Sequence, residues 1–178
     1  MAGYSSVVNY GNGGPGAAYN TSTTLTDVSP ASQYTTAPNS LYVGTVLSLH
    51  AFGSFSNTAT PTLLLGFYYG GVAGTALAAT SAITTTTGAT NWPFEIRWKG
   101  IVRSTGTSGT IMGKGEVWIP TSLTAGAWRP IPETALATVA IDTTAAKTLT
   151  LGAQWGTSSA SNTLTVQGFI VKNETIVP

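Results

Sequence analysis

Trp92, Phe94, Ile96 and Trp98 alternate without a break with Pro93, Glu95, Arg97 and Lys99. A repeat of two residues puts four large apolar side chains on one side of an extended strand and the charges on the other. A helix would scatter the same residues around its circumference. Leu149, Leu151, Ala153 and Trp155 repeat the pattern against Thr150, Gly152 and Gln154. Leu164, Val166, Gly168 and Ile170 extend it against Thr165, Gln167, Phe169 and Val171, with both faces apolar towards the end of the run. Such a chain folds as sheets with one face in a core.

The same character holds from Thr21 onward. Short runs rich in Thr, Val, Ile and aromatics are separated by Gly, Asn, Pro and Ser clusters. Strands are expected near 22–28, 41–52, 62–70, 92–103, 110–119, 135–142, 147–156 and 163–172. About eight antiparallel strands with turn-rich spacers fit a single all-β domain over 21–178, a β-sandwich or a jelly roll. Segment 73–82 (AGTALAATSA) reads as one turn, a short helix or a loop, and 104–109 (STGTSG) as a loop. Ser56-Asn57-Thr58 and Ser161-Asn162-Thr163 form an internal echo that a Ser/Thr-rich chain produces by chance.

Residues 1–20 differ from the rest. Gly11, Gly13, Gly14, Pro15 and Gly16 lie among Tyr4, Tyr10 and Tyr19. Gly and Pro clusters do not support the interior of a helix or sheet. The segment reads either as a disordered tail or as an extended N-terminal arm docked on a partner. The arm is the expectation taken forward, with Tyr4, Tyr10 and Tyr19 as its anchors, because tyrosine gives large contact area at low entropic cost.

Charge is scarce. Seven Lys plus Arg and six Asp plus Glu amount to 7% of 178 residues, against roughly a quarter in an ordinary soluble domain. The net charge is +1 and no basic cluster stands out in the linear sequence, which argues against nucleic-acid binding through phosphate neutralisation. No run approaches the roughly 20 apolar residues of a membrane helix, and the N-terminus lacks the basic and apolar regions of a secretory signal. No membrane partner is expected.

The residues of common catalytic and metal sites are equally scarce. There is no cysteine and one histidine, His50, within an apolar run. It shares no metal-ligand spacing with any carboxylate and reads as structural. No serine sits in a nucleophile elbow, and GNGGPG carries no phosphate-loop lysine. Glu95 and Glu116 lie on strands that could be neighbours, the arrangement of glycosidase carboxylates. The plainer reading is two solvent-facing residues paired with Arg97, Lys99 or Lys114. No catalytic residue, metal or cofactor is expected. Among five tryptophans, Trp92, Trp98 and Trp155 read as core and Trp118 as core or interface. Trp128, in a Pro-flanked loop, is the candidate surface contact, as an interface anchor or a sugar platform.

Residues 140–172 (AIDTTAAKTLTLGAQWGTSSASNTLTVQGFIVK) combine an Ile-Asp-Thr-Thr turn, an apolar strand ending in Gln-Trp-Gly, a Ser/Ala turn, Ser-Asn-Thr and a last strand. Together with residues 44–53 (GTVLSLHAFG), residues 62–71 (TLLLGFYYGG) and the glycines before Trp118, this resembles structural proteins of tailed bacteriophages. The resemblance covers roughly residues 40–172 and identifies no catalytic residue. It implies a jelly roll like that of tumour necrosis factor, usually trimeric. Such proteins decorate or cement capsids, or form knobs and fibres on tails.

The expectation is a virion protein, assembled in the host cytoplasm, that forms a homotrimer and binds the major capsid protein. The alternative is a tail knob or fibre tip that binds host glycan through Trp128 and loops 53–60, 104–109 and 157–161.

Overall fold

The structure, a computed structural model, describes residues 4–11, 14–30 and 33–176; the side chains of residues 4–10, 175 and 176 lie outside that description. Fourteen strands follow in chain order: β1 (Tyr4–Gly11), β2 (Tyr19–Asn20), β3 (Thr26–Asp27), β4 (Thr35–Thr36), β5 (Val46–Ser56), β6 (Thr62–Tyr69), β7 (Thr75–Ala79), β8 (Ile83–Thr84), β9 (Trp92–Ser104), β10 (Gly109–Ser122), β11 (Ala125–Ile131), β12 (Val139–Ile141), β13 (Lys147–Trp155) and β14 (Thr163–Ile176). The described residues contain no helix.

Two sheets form, and every paired strand is antiparallel to its neighbour. The larger runs β1-β14-β5-β9-β10-β11, with β12 beside β10 and β2 beside β14. The smaller runs β3-β13-β6-β7, with β4 beside β13 and β8 beside β6. The chain crosses from the large sheet to the small one between β5 and β6, returns at β9, crosses again at β13 and closes with β14.

The alternation read from the sequence builds the core between the sheets. Leu47, Leu49, Ala51 and Phe55 from β5 and Phe94, Ile96 and Trp98 from β9 are buried. They face Leu63, Leu65 and Phe67 from β6 and Leu149, Leu151, Ala153 and Trp155 from β13. Phe67 and Phe169 stack between the sheets, 6.1 Å between centroids and 17° between planes. Each large side chain removed from water contributes about 1.5–3 kcal/mol.

β14 departs from its expected alternation. Val166 pairs with Gly53 and Gly168 with Phe52, so Gln167 is an extra residue. This bulge moves the inward set from Leu164 and Val166 to Phe169 and Val171. Ile170, expected inside, is half-buried on the outer face opposite His50.

Other boundaries also differ. Segment 73–82 contains strand β7 where a turn, short helix or loop was read. Residues 126–132 (GAWRPIP), read as a Pro-flanked loop around Trp128, form most of strand β11. The expected strands at 22–28 and 135–142 shrink to β3 and β12.

The Ser-Asn-Thr echo has a structural role at both copies. Asn57 and Asn162 are buried. Asn57 donates to Thr85 Oγ1 at 2.8 Å and accepts from the Ala89 amide at 3.2 Å. Asn162 donates to the Thr157 carbonyl at 2.9 Å. Since Ser56 pairs with Thr163, the two asparagines brace loops at the same end of β5 and β14.

Candidate functional site

Cross-strand registers order the outer face of the large sheet into rows. Phe52 on β5, Glu95 on β9, Trp118 on β10 and Trp128 on β11 stand opposite one another. The next outward row holds Ile170, His50, Arg97, Glu116 and Pro130. The third holds Lys172, Ser48, Lys99 and Lys114. Strands stand about 4.8 Å apart and rows about 6.6 Å apart.

The aromatic row is open to solvent. Trp128 is 49% exposed and Phe52 is 42% exposed. Glycines let the rings lie flat. A Cβ at Gly168 would strike the Phe52 ring, and one at Gly126 would strike the Trp118 indole. Trp118 and Trp128 meet at 6.5 Å with a 49° tilt. The Arg97 guanidinium lies 4.9 Å from the Trp128 centroid, a cation–π contact.

Arg97 also organises the acids. Its Nε is 3.0 Å from Glu116 Oε1 and 3.5 Å from Glu95 Oε1. Glu95 and Glu116 are thus neighbours, and both pair with Arg97 in the solvent-facing arrangement read from the sequence. His50 Nε2 is 3.0 Å from Glu95 Oε1, a close approach without the alignment of a hydrogen bond. The His50 ring is tilted against Phe52 at 5.6 Å.

The lysine row is different. Lys99 and Lys114 are directly opposite, and Lys172 lies one strand beyond Ser48. None of the three has a carboxylate within 4 Å among the described residues. Like charges placed opposite each other on a sheet repel, so the row opposes folding in isolation. Three of the chain's four lysines occupy it.

A groove of about 880 Å³ runs over these rows. Arg129, Pro130, Ile131, Pro132, Thr134 and Leu136 form a wall along it. Arg129 pairs with Glu133 at 3.4 Å. Glu133 Oε2 accepts from the Ser81 hydroxyl and, at 3.0 Å, from the Ser81 amide, which ties the wall to the connection between β7 and β8 of the small sheet. The Ser81 hydroxyl, aided by its amide and by Arg129, holds the Glu133 carboxyl below the usual glutamate range despite some desolvation. The lining carries Arg97, Lys99, Lys114, Arg129 and Lys172 against Glu95, Glu116 and Glu174. That excess of two positive charges exceeds the +1 of the whole chain.

The anchors expected on residues 1–20 are placed separately. The backbones of Tyr4 and Tyr10 belong to β1, opposite Ile176 and Val171 at the edge of the large sheet; their side chains lie outside the described residues. Tyr19 is buried in the core, and its hydroxyl donates to the carbonyls of Ser22 at 2.9 Å and Thr24 at 3.0 Å. It is therefore a structural residue and not an exposed anchor. Among described residues, the expected arm is an edge strand followed by a core residue.

Trp128 is exposed, as a surface contact requires, but on a strand. The three loops expected beside it do not converge. Loops 53–60 and 157–161 sit at one end of the sandwich. Loop 104–109 sits at the opposite end, because β9 runs antiparallel to β5. The lysine row was not visible in the sequence, where its members are 15 and 58 residues apart. Only register brings them together.

No protein-family model, curated protein or solved structure matches the chain.

Proposed function

We propose that the chain is a structural protein of a tailed-bacteriophage virion. In this reading it is a jelly-roll decoration or cement protein that assembles as a homotrimer and binds the major capsid protein from outside. The observation that carries the reading is strand order. A core of β1-β14-β5-β9 in one sheet faces β3-β13-β6-β7 in the other. Four strands against four, filled by repeated crossing between sheets, supports reading this sandwich as a jelly roll. The β10–β11 hairpin and β12 then extend one sheet beyond that core.

Surface composition supports the assembly role. With 7% charged residues, the chain has little like-charge repulsion between copies. Large apolar side chains stand exposed at several places: Tyr42 and Val43 before β5, and Leu123 at the tip of the β10–β11 hairpin. Interfaces are commonly depleted of charge and built on apolar and aromatic anchors.

The test is reconstitution. Purified protein is expected to run at about 55 kDa in light scattering, three times the 18.2 kDa chain, and to rebind capsids stripped of it in a saturable way. A monomer that leaves stripped capsids bare would overturn the proposal.

A further inference from the structure

We infer that the outer-face groove is a binding site for an acidic saccharide, a sugar chain bearing carboxylate, sulfate or phosphate groups. The inference needs neither the trimer nor the capsid. It rests on the groove, on three lysines in it with no carboxylate within 4 Å among the described residues, and on Trp128 at its other end.

The lysines define the ligand's charge. Lys99, Lys114 and Lys172 form one cross-strand row with no carboxylate within 4 Å among the described residues. Their ammonium groups are compact, rotatable donors suited to anionic oxygens. An anion bridging Lys99 and Lys114 would remove the repulsion that register imposes on them.

The other end defines the ligand as a sugar. Trp128 is 49% exposed and lies four residues along the strand direction from the lysine row, about 13 Å. An exposed indole offers a flat apolar face with a polar edge. Between the two ends stand His50, Arg97 and Glu116, and Glu95 shares the row of Trp128. Together they present donors and acceptors to hydroxyls. An acidic peptide has few hydroxyls to donate to the two carboxylates, whereas a sugar chain carries several on each ring. The volume of about 880 Å³ falls within the usual range for ligand sites.

The experiment is a panel of carboxylated, sulfated and phosphorylated oligosaccharides, each beside its neutral counterpart, with poly-glutamate as the peptide control. The full chain is titrated and tryptophan fluorescence and heat are recorded. At least one acidic sugar is expected to bind saturably, more weakly as salt rises, while its neutral counterpart binds at least about tenfold less. The arms of the panel distinguish the three anion types. Lys99→Gln with Lys114→Gln should weaken binding by about tenfold or more, with a melting temperature no lower than that of the parent chain. Trp128→Ala should weaken sugar binding by about tenfold and leave any poly-glutamate binding unchanged.

Three results overturn the proposal. One is no binding by any acidic sugar. Another is binding that survives loss of both lysines. The third is poly-glutamate binding as tight as the best sugar and indifferent to Trp128, which would mark the face as a protein-docking surface.

Discussion

Replacing Gly113 by alanine should destabilise the protein largely through one ring, and removing that ring should reduce the effect. Trp98 is buried, and its indole lies across Gly100 and Gly113 on neighbouring strands. A Cβ on Gly113 would stand 2.6 Å from Trp98 Cε2 and 2.7 Å from the Gly100 Cα. Carbon atoms settle at about 3.5–4.0 Å, so the ring would have to move by about 1 Å in a close-packed core. Overpacking of this kind costs about 1–3 kcal/mol. Alanine regains roughly 0.5–1 kcal/mol over glycine within a strand. The net loss is therefore about 1–2 kcal/mol, a shift of about 0.5–1 M in the urea midpoint.

In a Trp98→Leu background the contact with the indole is gone and only the approach to the Gly100 Cα remains. Gly113→Ala should then cost less than in the parent chain, by about 1 kcal/mol or more. Urea unfolding of the four proteins in this cycle, followed by far-ultraviolet circular dichroism, measures the coupling. An equal cost in both backgrounds would refute the reasoning, because the glycine would then not be making room for the indole. The same packing lies beneath the lysine row, since it sits where Lys99 and Lys114 come into register.

Other predictions follow from the core and the groove wall. Trp155→Ala should cost about 3–5 kcal/mol in urea unfolding, since the side chain is fully buried between the sheets. Tyr19→Phe should cost about 1 kcal/mol, the value of a hydroxyl held by backbone carbonyls, with Tyr19→Ala costing more; a neutral Tyr19→Ala would mean that residue 19 is not core. The Glu133 carboxyl is held low in the folded chain, first by Ser81. Its contribution is therefore present above the unfolded-state range and lost as pH falls through the lower folded value. Ser81→Ala should flatten the fall in melting temperature on acidification, and an unchanged pH profile would remove Ser81 as the cause.

The parts of the fold that depend on local alternation are legible in the sequence. Trp92 to Lys99 and Leu149 to Trp155 each carry one inward set; both strands bury it except at Trp92, which is half-buried at the strand's start. What the pattern misreads has identifiable causes. Gln167 is inserted by a bulge whose extra residue leaves no mark on composition, so Ile170 changes sides. β11 contains Pro130 and is exposed along most of its length, which hides both the β-branched and the alternating signals of a strand. β7 is Ala-rich, and alanine favours no strand by itself. Tyr19 follows a Gly-rich run that looks like tail, yet its ring closes the core. The groove lies furthest from the sequence, because Lys99, Lys114 and Lys172 meet only through the pairing of β5, β9, β10 and β14.

The assembly proposal is tested most directly by the copy number of this chain in purified particles of the virus the proposal assigns it to. Gel densitometry against the major capsid protein provides it. A decoration protein is predicted at hundreds of copies per particle, in a simple ratio to the capsid protein. A handful of copies would place it on the tail, and its absence from the particle would remove it from the virion; either result would contradict the account.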